Sequence, residues 1–323
     1  MYSLGFDIGG TKCAAILGKG ELTDNIEGFI IDKTTFPTKA ERGYKEVIKE
    51  LFCVAENLLL KNCVKHSELI GIGISCGGPL SSENGTVNCP PNLPDWDNVP
   101  LVKMCEEAFG CKAVLHNDAN ACAVAEYRFG SGKGSQNMVF LTFGTGMGAG
   151  LILNGHLYTG TNDCAGEVGH IRLSENGPLG YGKHGSFEGY CSGGGIERTA
   201  KALAKEYLKE NRTSILFNND EDIEHITAKA LSEALKNGDE FSLSVYEKCA
   251  EYLGRGLSII IDLLNPEVIV IGSIYERNEE FFRDRVLKVI KKEALSVSAS
   301  VCEIKPATLG DSIGDYAALG ILF

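Results

Sequence analysis

The chain has 323 residues, long enough for two domains with cores of their own. Its 44% apolar and 23% charged residues are those of a globular protein, and no apolar run is long enough for a transmembrane helix. A formal net charge of −12 without any Lys/Arg run argues against nucleic acid or an anionic membrane surface as partner. It leaves room for a phosphorylated nucleotide held locally by backbone N–H groups and Mg²⁺.

Short apolar stretches predict strands over 2–6 and 13–17, joined as a hairpin by the turn 7–12, with more strand around 29–35. Val47, Ile48, Leu51, Val54, Ala55 and Leu58 fall at helical spacing and predict a helix over 44–60. A buried strand over 69–75 runs into Cys76-Gly77-Gly78-Pro79, glycines that either bring backbone close to a ligand or make a tight turn. Residues 81–98, rich in Asn, Pro and Asp and holding the single Trp96, form a loop long enough to suggest a function.

A helix over 101–109 leads to a short strand over 113–115, and good helix formers follow from Ala119 to Glu126. Asn117 and Asp118 therefore sit at a strand–helix junction. Asp118 is suited to cap the helix. In open α/β sheets, however, ligands gather just beyond the carboxyl ends of strands, where this carboxylate could be the general base of a kinase.

Strands over 138–143 and 148–153 repeat the strand–glycine turn–strand unit of residues 2–17, as expected of two lobes built alike around a shared cleft. Residues 159–195 read as irregular. Helices are expected over 196–209, 226–236, 240–264, 279–293 and 311–322, with strands over 268–271, ending in Gly272-Ser273, and 301–306. The 12 cysteines are scattered without any Cys-x-x-Cys, and the first residues lead straight into a strand without a signal peptide. Reduced thiols in a cytoplasmic protein are expected.

Asp7-Ile8-Gly9-Gly10-Thr11-Lys12 offers consecutive N–H groups at a turn where glycines admit left-handed backbone and an anion nest. Thr11 adds a hydroxyl, Lys12 a cation, and Asp7 could hold Mg²⁺ directly or through water. A plain glycine hairpin fits this segment alone equally well. The second loop, with Gly144, Thr145 and Gly146, repeats the chemistry without a Walker ending. Two such loops with Asp118 between them fit an actin-like or hexokinase-like (ribonuclease H-like) α/β ATPase of two lobes. The lobes are expected over 1–116 and 117–310, with the closing segment 311–323 packed back on the first.

Nearly end to end, the sequence resembles the ROK family of sugar kinases and related repressors. Residues 4–12 resemble its first phosphate motif, Gly77-Gly78-Pro79, Asn92-Leu93 and Trp96 its sugar-loop elements, and 116–121 its catalytic-aspartate motif. Gly144–Gly148 matches the second phosphate loop, Gly166-Glu167-Val168-Gly169-His170 the signature Gly-Glu-x-Gly-His, and Leu309-Gly310-Asp311 the approach to the closing helix. The resemblance implies ATP and a hexose in the cleft, with Asp118 as base and Asn117, Asn92, Glu167, His170, Glu188 and the Gly78 backbone on the sugar. It implies Gly9, Gly10, Thr11, Lys12, Gly144, Thr145, Gly146 and Gly272 on the nucleotide, Asp7 on Mg²⁺, and a homodimer.

The implied reaction is phosphoryl transfer to a hexose hydroxyl, expected to be the 6-hydroxyl of glucose or a related hexose. N-acetylmannosamine, fructose and allose remain alternatives. One rival reading is a catalytically inactive sugar-sensing regulator, although a first strand at residue 2 leaves no room for a repressor's helix-turn-helix. Another is an actin- or Hsp70-like ATPase, against which the polar 159–195 stretch counts.

The family usually carries a zinc motif, Cys-x-Cys-Gly-x-x-Gly-Cys-x-Glu, completed by the histidine of Gly-Glu-x-Gly-His. Here Leu179, Tyr181 and Ser186 stand in place of the three thiolates, while Glu188 remains. No structural zinc is expected, and packing of Leu179, Tyr181 and Phe187 is expected to hold the loop. His170, His184 and Cys191 are left as candidate ligands of a different metal site.

Overall fold

The computed structural model describes residues 1–21, 26 and 28–323. It divides into two compact units: Met1–Gln136, Gly150–Ala165 and Thr308–Phe323 form one, and Asn137–Ala149 and Gly166–Ala307 the other.

In the first unit β1 (Tyr2–Ile8) and β2 (Lys12–Lys19) form the expected hairpin, in register from Tyr2↔Lys19 to Ile8↔Cys13. Strand β3 (Ile30–Pro37) adds antiparallel to β2. Helix α1 (Tyr44–Lys61) then carries the chain back so that β4 (Leu69–Cys76) lies parallel to β1. Helix α2 (Leu101–Phe109) does the same for β5 (Ala113–Asn117) beside β4, and the sheet reads β3-β2-β1-β4-β5. Val47, Ile48, Leu51, Ala55 and Leu58 of α1 are buried in one core with Phe6, Ile74 and Leu115. The Val, Ile, Leu and Phe side chains each contribute about 1.5–3 kcal/mol of transfer free energy, and Ala55 less.

Helix α3 (Asp118–Phe129) follows β5 without a loop. Strand β6 (Met138–Leu141) belongs to the second unit, and β7 (Ala149–Leu153) starts there and runs into the first, where β8 (His156–Tyr158) pairs with it. The second unit continues through α4 (Phe187–Tyr190), α5 (Gly193–Lys209), α6 (Ala228–Lys236) and the long α7 (Glu240–Leu264). Strand β9 (Val268–Ile271) lies parallel to β6; after α8 (Glu279–Glu293), β10 (Glu303–Pro306) lies parallel to β9.

Closing helix α9 (Ile313–Gly320) packs on the first unit's sheet, and glycines make room for it. A Cβ at Gly73 of β4 would lie 1.9 Å from the Ala318 carbonyl oxygen, and one at Gly18 of β2 2.6 Å from Leu319. The same helix packs on α3, with the Phe129 and Tyr316 rings 5.4 Å apart. That packing places α3 in the first unit, whereas the sequence reading began the second lobe at residue 117.

The stretch read as irregular over 159–195 contains a small hairpin of Leu179–Gly180 and Lys183–His184, and α4. Helix α5 also starts earlier than its periodicity predicts, at three consecutive glycines. Ser192 caps it, its Oγ accepting from Gly195 N at 2.9 Å. Glycine is a poor helix former, but a Cβ at Gly195 would lie 2.2 Å from the Gly189 carbonyl oxygen.

Candidate functional site

In the first unit the carboxyl ends of parallel strands β1, β4 and β5 share one edge of the sheet. Asp7 pairs with Ser75, Cys76 with Asn117, and Asp118 comes next. The β1–β2 turn is closed by Gly9 N donating to the Lys12 carbonyl at 3.0 Å and by buried Thr38, whose Oγ1 donates to the Gly9 carbonyl at 2.6 Å. Thr11 and Lys12 stay exposed.

Neither Gly9 nor Gly10 is left-handed, contrary to expectation. Gly10 is required by a close approach instead, since a Cβ there would sit 2.6 Å from the Asn92 carbonyl oxygen. The loop that carries Asn92 is anchored by fully buried Trp96, whose carbonyl accepts from Cys89 N at 2.7 Å. Asn92 itself is exposed, and Gly78 lies beside Asn117.

At the β5–α3 junction the cap is Asn117, not Asp118: Asn117 Oδ1 accepts from Asn120 N at 2.7 Å. Asp118 is thereby released from capping, and its Oδ1 accepts from the neighbouring Ala119 N at 2.8 Å. The carboxylate is solvent-accessible yet densely surrounded by protein. Desolvation pushes its pKa above the usual carboxylate range, and its backbone hydrogen bonds offset this only in part.

Asp7 is pushed up to about 6, first by desolvation and then by the Asp315 carboxylate, against the pull of Lys12 and Lys33; Asp118 adds a smaller push. Asp315 already has its own partner, Lys33 Nζ at 2.5 Å. A carboxylate raised by burial and by like charges is chemically suited to a divalent cation that keeps most of its waters.

In the second unit the Gly144–Gly148 loop and the Gly-Glu-x-Gly-His stretch are woven together. Gly148 N donates to Thr142 Oγ1 at 2.9 Å, and Met147 N to Glu188 Oε2 at 3.2 Å. A Cβ at Gly169 would lie 2.3 Å from the Met147 carbonyl oxygen. Gly166, at φ +90°, faces the Ala149 carbonyl so closely that a Cβ would come within 2.1 Å. Only glycine satisfies both constraints there. Glu167 is exposed, and His170 is half-buried, edge-on to Tyr181 with ring centroids 4.9 Å apart. Lys183 Nζ donates to the His170 carbonyl at 2.7 Å.

The 179–188 stretch is not held as the sequence reading expected. Leu179 and Tyr181 are exposed, at 40% and 65%, because they lie on a two-residue hairpin whose turn residues Tyr181 and Gly182 are both left-handed. Buried Phe187 packs against Gly256 of α7, and Ser186 caps α4, its Oγ accepting from Gly189 N at 3.1 Å. His184 Nδ1 lies 3.0 Å from the Gly177 carbonyl oxygen, and the Cys191 thiol donates to the Cys249 carbonyl at 3.5 Å. Among the described residues His170, His184 and Cys191 do not converge on a ligand cluster.

A cavity of about 860 Å³ in the second unit is lined by Gly144 and Thr145, the α5 start at Gly193, and Ser273, Ile274 and Asn278. The α5 N-terminus and loop N–H groups suit a polyphosphate, and the volume suits a nucleotide. A Cβ at Gly272, the residue expected on the nucleotide, would point toward Phe140 and Ala307, and its neighbours Ser273 and Ile274 form the cavity wall. The sequence reading missed Gly193, Ser273, Ile274 and Asn278. A serine followed by three glycines before a helical pattern was the available signal for the first of these.

The predicted residues thus fall into two sets. Asp7, Gly9, Gly10, Thr11, Lys12, Gly78, Asn92, Asn117 and Asp118 belong to the first unit; Gly144, Thr145, Gly146, Glu167, His170, Glu188 and Gly272 belong to the second.

The ROK family model matches residues 3–321. Glucokinase from Thermotoga maritima is 31% identical over 320 residues, covering 99% of this chain and 96% of the relative. Glucokinase from Halalkalibacterium halodurans is 34% identical over 321 residues, covering 97% and 92%. A solved ROK family glucokinase from Streptomyces griseus, in complex with glucose and AMPPNP, is similar with a TM-score of 0.77 at 29% identity, covering 99% of each chain. This is the actin/hexokinase-like α/β fold, and the chain belongs to the ROK family.

Proposed function

We propose that this chain is an ATP-dependent sugar kinase that phosphorylates a hexose hydroxyl, the 6-hydroxyl of glucose or a related hexose, with Asp118 as general base. The observation that carries this reading is the division of labour at the junction. Asn117 caps α3, so the Asp118 carboxylate stays accessible and its basicity is raised by burial. A base tuned upward suits removal of a hydroxyl proton near neutral pH. The relatives' shared name, glucokinase, supports the substrate class.

The 860 Å³ cavity takes the nucleotide, with Gly144, Thr145 and Gly146 on its phosphates; Gly9, Gly10, Thr11 and Lys12 are the first unit's own phosphate-binding residues. Asp7 would hold Mg²⁺, directly or through water, and the bound ion would neutralise charge on the transferring phosphoryl group. Gly78, Asn92, Asn117, Glu167, His170 and Glu188 bind the sugar. Glu188 has one oxygen committed to Met147 N, leaving the other for a hydroxyl. Sites of this kind reject analogues that lack the hydroxyl they bind.

Structural zinc is not part of this reading. Ser186 spends its hydroxyl on the α4 cap, and His184 and Cys191 have backbone partners of their own. The working protein is a cytoplasmic homodimer that binds neither nucleic acid nor membrane; among the described residues no helix is long and apolar enough to cross one. Exposed Leu263, Leu287, Leu295 and Val297 on the second unit support the dimer, as apolar surface a second copy would cover.

N-acetylmannosamine, fructose and allose remain alternative substrates, because the named contacts recognise hydroxyls common to many hexoses. The test is ADP release from ATP·Mg²⁺ against a panel of hexoses and N-acetylhexosamines, with Asp118→Asn alongside. Sugar-dependent turnover that falls by about 10²-fold or more in the variant is expected. A sugar that binds without stimulating turnover would make the chain a catalytically inactive sugar-sensing regulator.

A further inference from the structure

We propose that the first unit carries a second ligand site, a small cavity against the β5–α3 junction that takes a phosphate-sized oxyanion. The cavity measures about 150 Å³, and its polar lining is His116, Tyr127, Arg128 and His156 over apolar Val124 and Ile152. At about 30 Å³ per water it has room for a tetrahedral oxyanion but not for a hexose or nucleotide.

Side chains alternate along a strand. Leu115 enters the core shared with α1, so His116 projects from the opposite face of β5. Arg128 comes from the last turn of α3. Both contribute a buried polar atom, His116 Nδ1 and Arg128 Nε, that has no hydrogen-bond partner among the described residues. Both atoms are closed to solvent, so a ligand in the cavity meets Arg128 at its terminal guanidinium nitrogens and His116 at its other ring nitrogen.

The chemistry selects an anion. No carboxylate pairs with Arg128 among the described residues, and burial pulls its pKa below the usual guanidinium range with only Tyr127 opposing. A guanidinium edge presents parallel N–H donors that match an oxyanion. The His116 pKa is lowered by burial, yet a neutral imidazole still donates one N–H. The acidic group acting on His116 is Asp163, which is occupied by Ser82 N at 2.8 Å and Ser82 Oγ at 2.6 Å.

His116 immediately precedes Asn117 and Asp118, and Arg128 lies on the helix that Asp118 begins. An oxyanion bound here would brace the two elements that meet at Asp118 and make the junction responsive to phosphate concentration. The site stands independently of the proposed kinase reaction.

The test is NMR of the histidine side chains in the full chain during titration with inorganic phosphate. The His116 resonance is identified as the one missing from His116→Gln. A saturable His116 shift is expected, with apparent affinity reduced by about tenfold or more in Arg128→Gln. Arg128→Lys keeps the charge without the fork and is expected to fall between; it decides the matter if Arg128→Gln does not fold. Lys12→Ala, which removes a cation from the first glycine loop, should leave the shift in place. Glycerol phosphate in a parallel arm separates free phosphate from a phosphate monoester. No saturable shift with either probe, or a shift unchanged in Arg128→Gln and Arg128→Lys, would overturn the proposal and leave the cavity to water.

Discussion

The carboxylate of Glu126 and the backbone N–H of Thr308 meet at 3.0 Å although 182 residues separate them. The same fully buried carboxylate accepts from Leu309 N at 3.0 Å and from Ser131 N at 2.8 Å. It also dictates Gly130, where a Cβ would lie 2.0 Å from Glu126 Oε2. One side chain thus fixes the start of the segment leading to the closing helix and the turn after α3. Glu126→Ala leaves three N–H groups without their acceptor. We expect a loss of about 3–5 kcal/mol, read as a lower urea midpoint with an unchanged m-value. A loss below about 1 kcal/mol would mean that water replaces the carboxylate.

Gly10→Ala tests whether close approach explains that glycine. Its Cβ would fall 2.6 Å from the Asn92 carbonyl, backbone that cannot turn aside as a side chain could. The variant is expected to remain folded, losing about 1–3 kcal/mol, while its sugar KM rises because the Asn92 loop is displaced. Gly43→Ala, where a Cβ meets nothing within 4 Å but φ is +79°, supplies a comparison in which strain acts without collision.

Asp7 makes stability depend on pH in an unusual direction for an aspartate. Its carboxyl titrates at about 6 in the folded chain, against 3.8 ordinarily. The folded state holds that proton more tightly than the unfolded one. The contribution of Asp7 is therefore most favourable below pH 3.8 and declines as pH rises through 6, by up to about 3 kcal/mol. Asp7→Asn should stabilise the metal-free chain by about 1–3 kcal/mol at pH 7.5 and much less at pH 4, while abolishing sugar-dependent ADP release. Urea unfolding at the two pH values measures this. Equal effects at both would remove Asp7 as the cause.

The 179–188 stretch should be indifferent to chelators. Metal analysis after chelator washing is expected to return well under one zinc per chain, with thermal midpoint and activity retained. Ser186→Ala, which removes the α4 cap, is expected to cost about 1 kcal/mol. About one zinc per chain, lost together with stability, would contradict the hydrogen-bonded account of this loop.

Local pattern was enough to place much of this molecule. Short apolar stretches around a glycine turn marked the β1–β2 hairpin, helical spacing marked α1, and an apolar strand followed by helix formers put Asn117 and Asp118 at a junction. These features depend on neighbours within a few residues, which the sequence contains. Which of the two caps the helix did not follow, because both residue types can, and only the observed backbone gives that role to Asn117.

The glycines show where sequence reasoning runs out. Gly10, Gly73 and Gly166 look alike in the chain, yet the first answers to Asn92, the second to Ala318, and the third to both a left-handed backbone and Ala149. Likewise no local signal joined Ser273, Ile274 and Asn278 to Gly193, or Glu126 to Thr308. The sequence by itself determined the family, the elements and most of the candidate residue types. Tertiary structure alone decided which neighbour each glycine must admit, which carboxylate is buried among like charges, and which side chains wall a cavity, because those depend on distances between segments far apart in the chain.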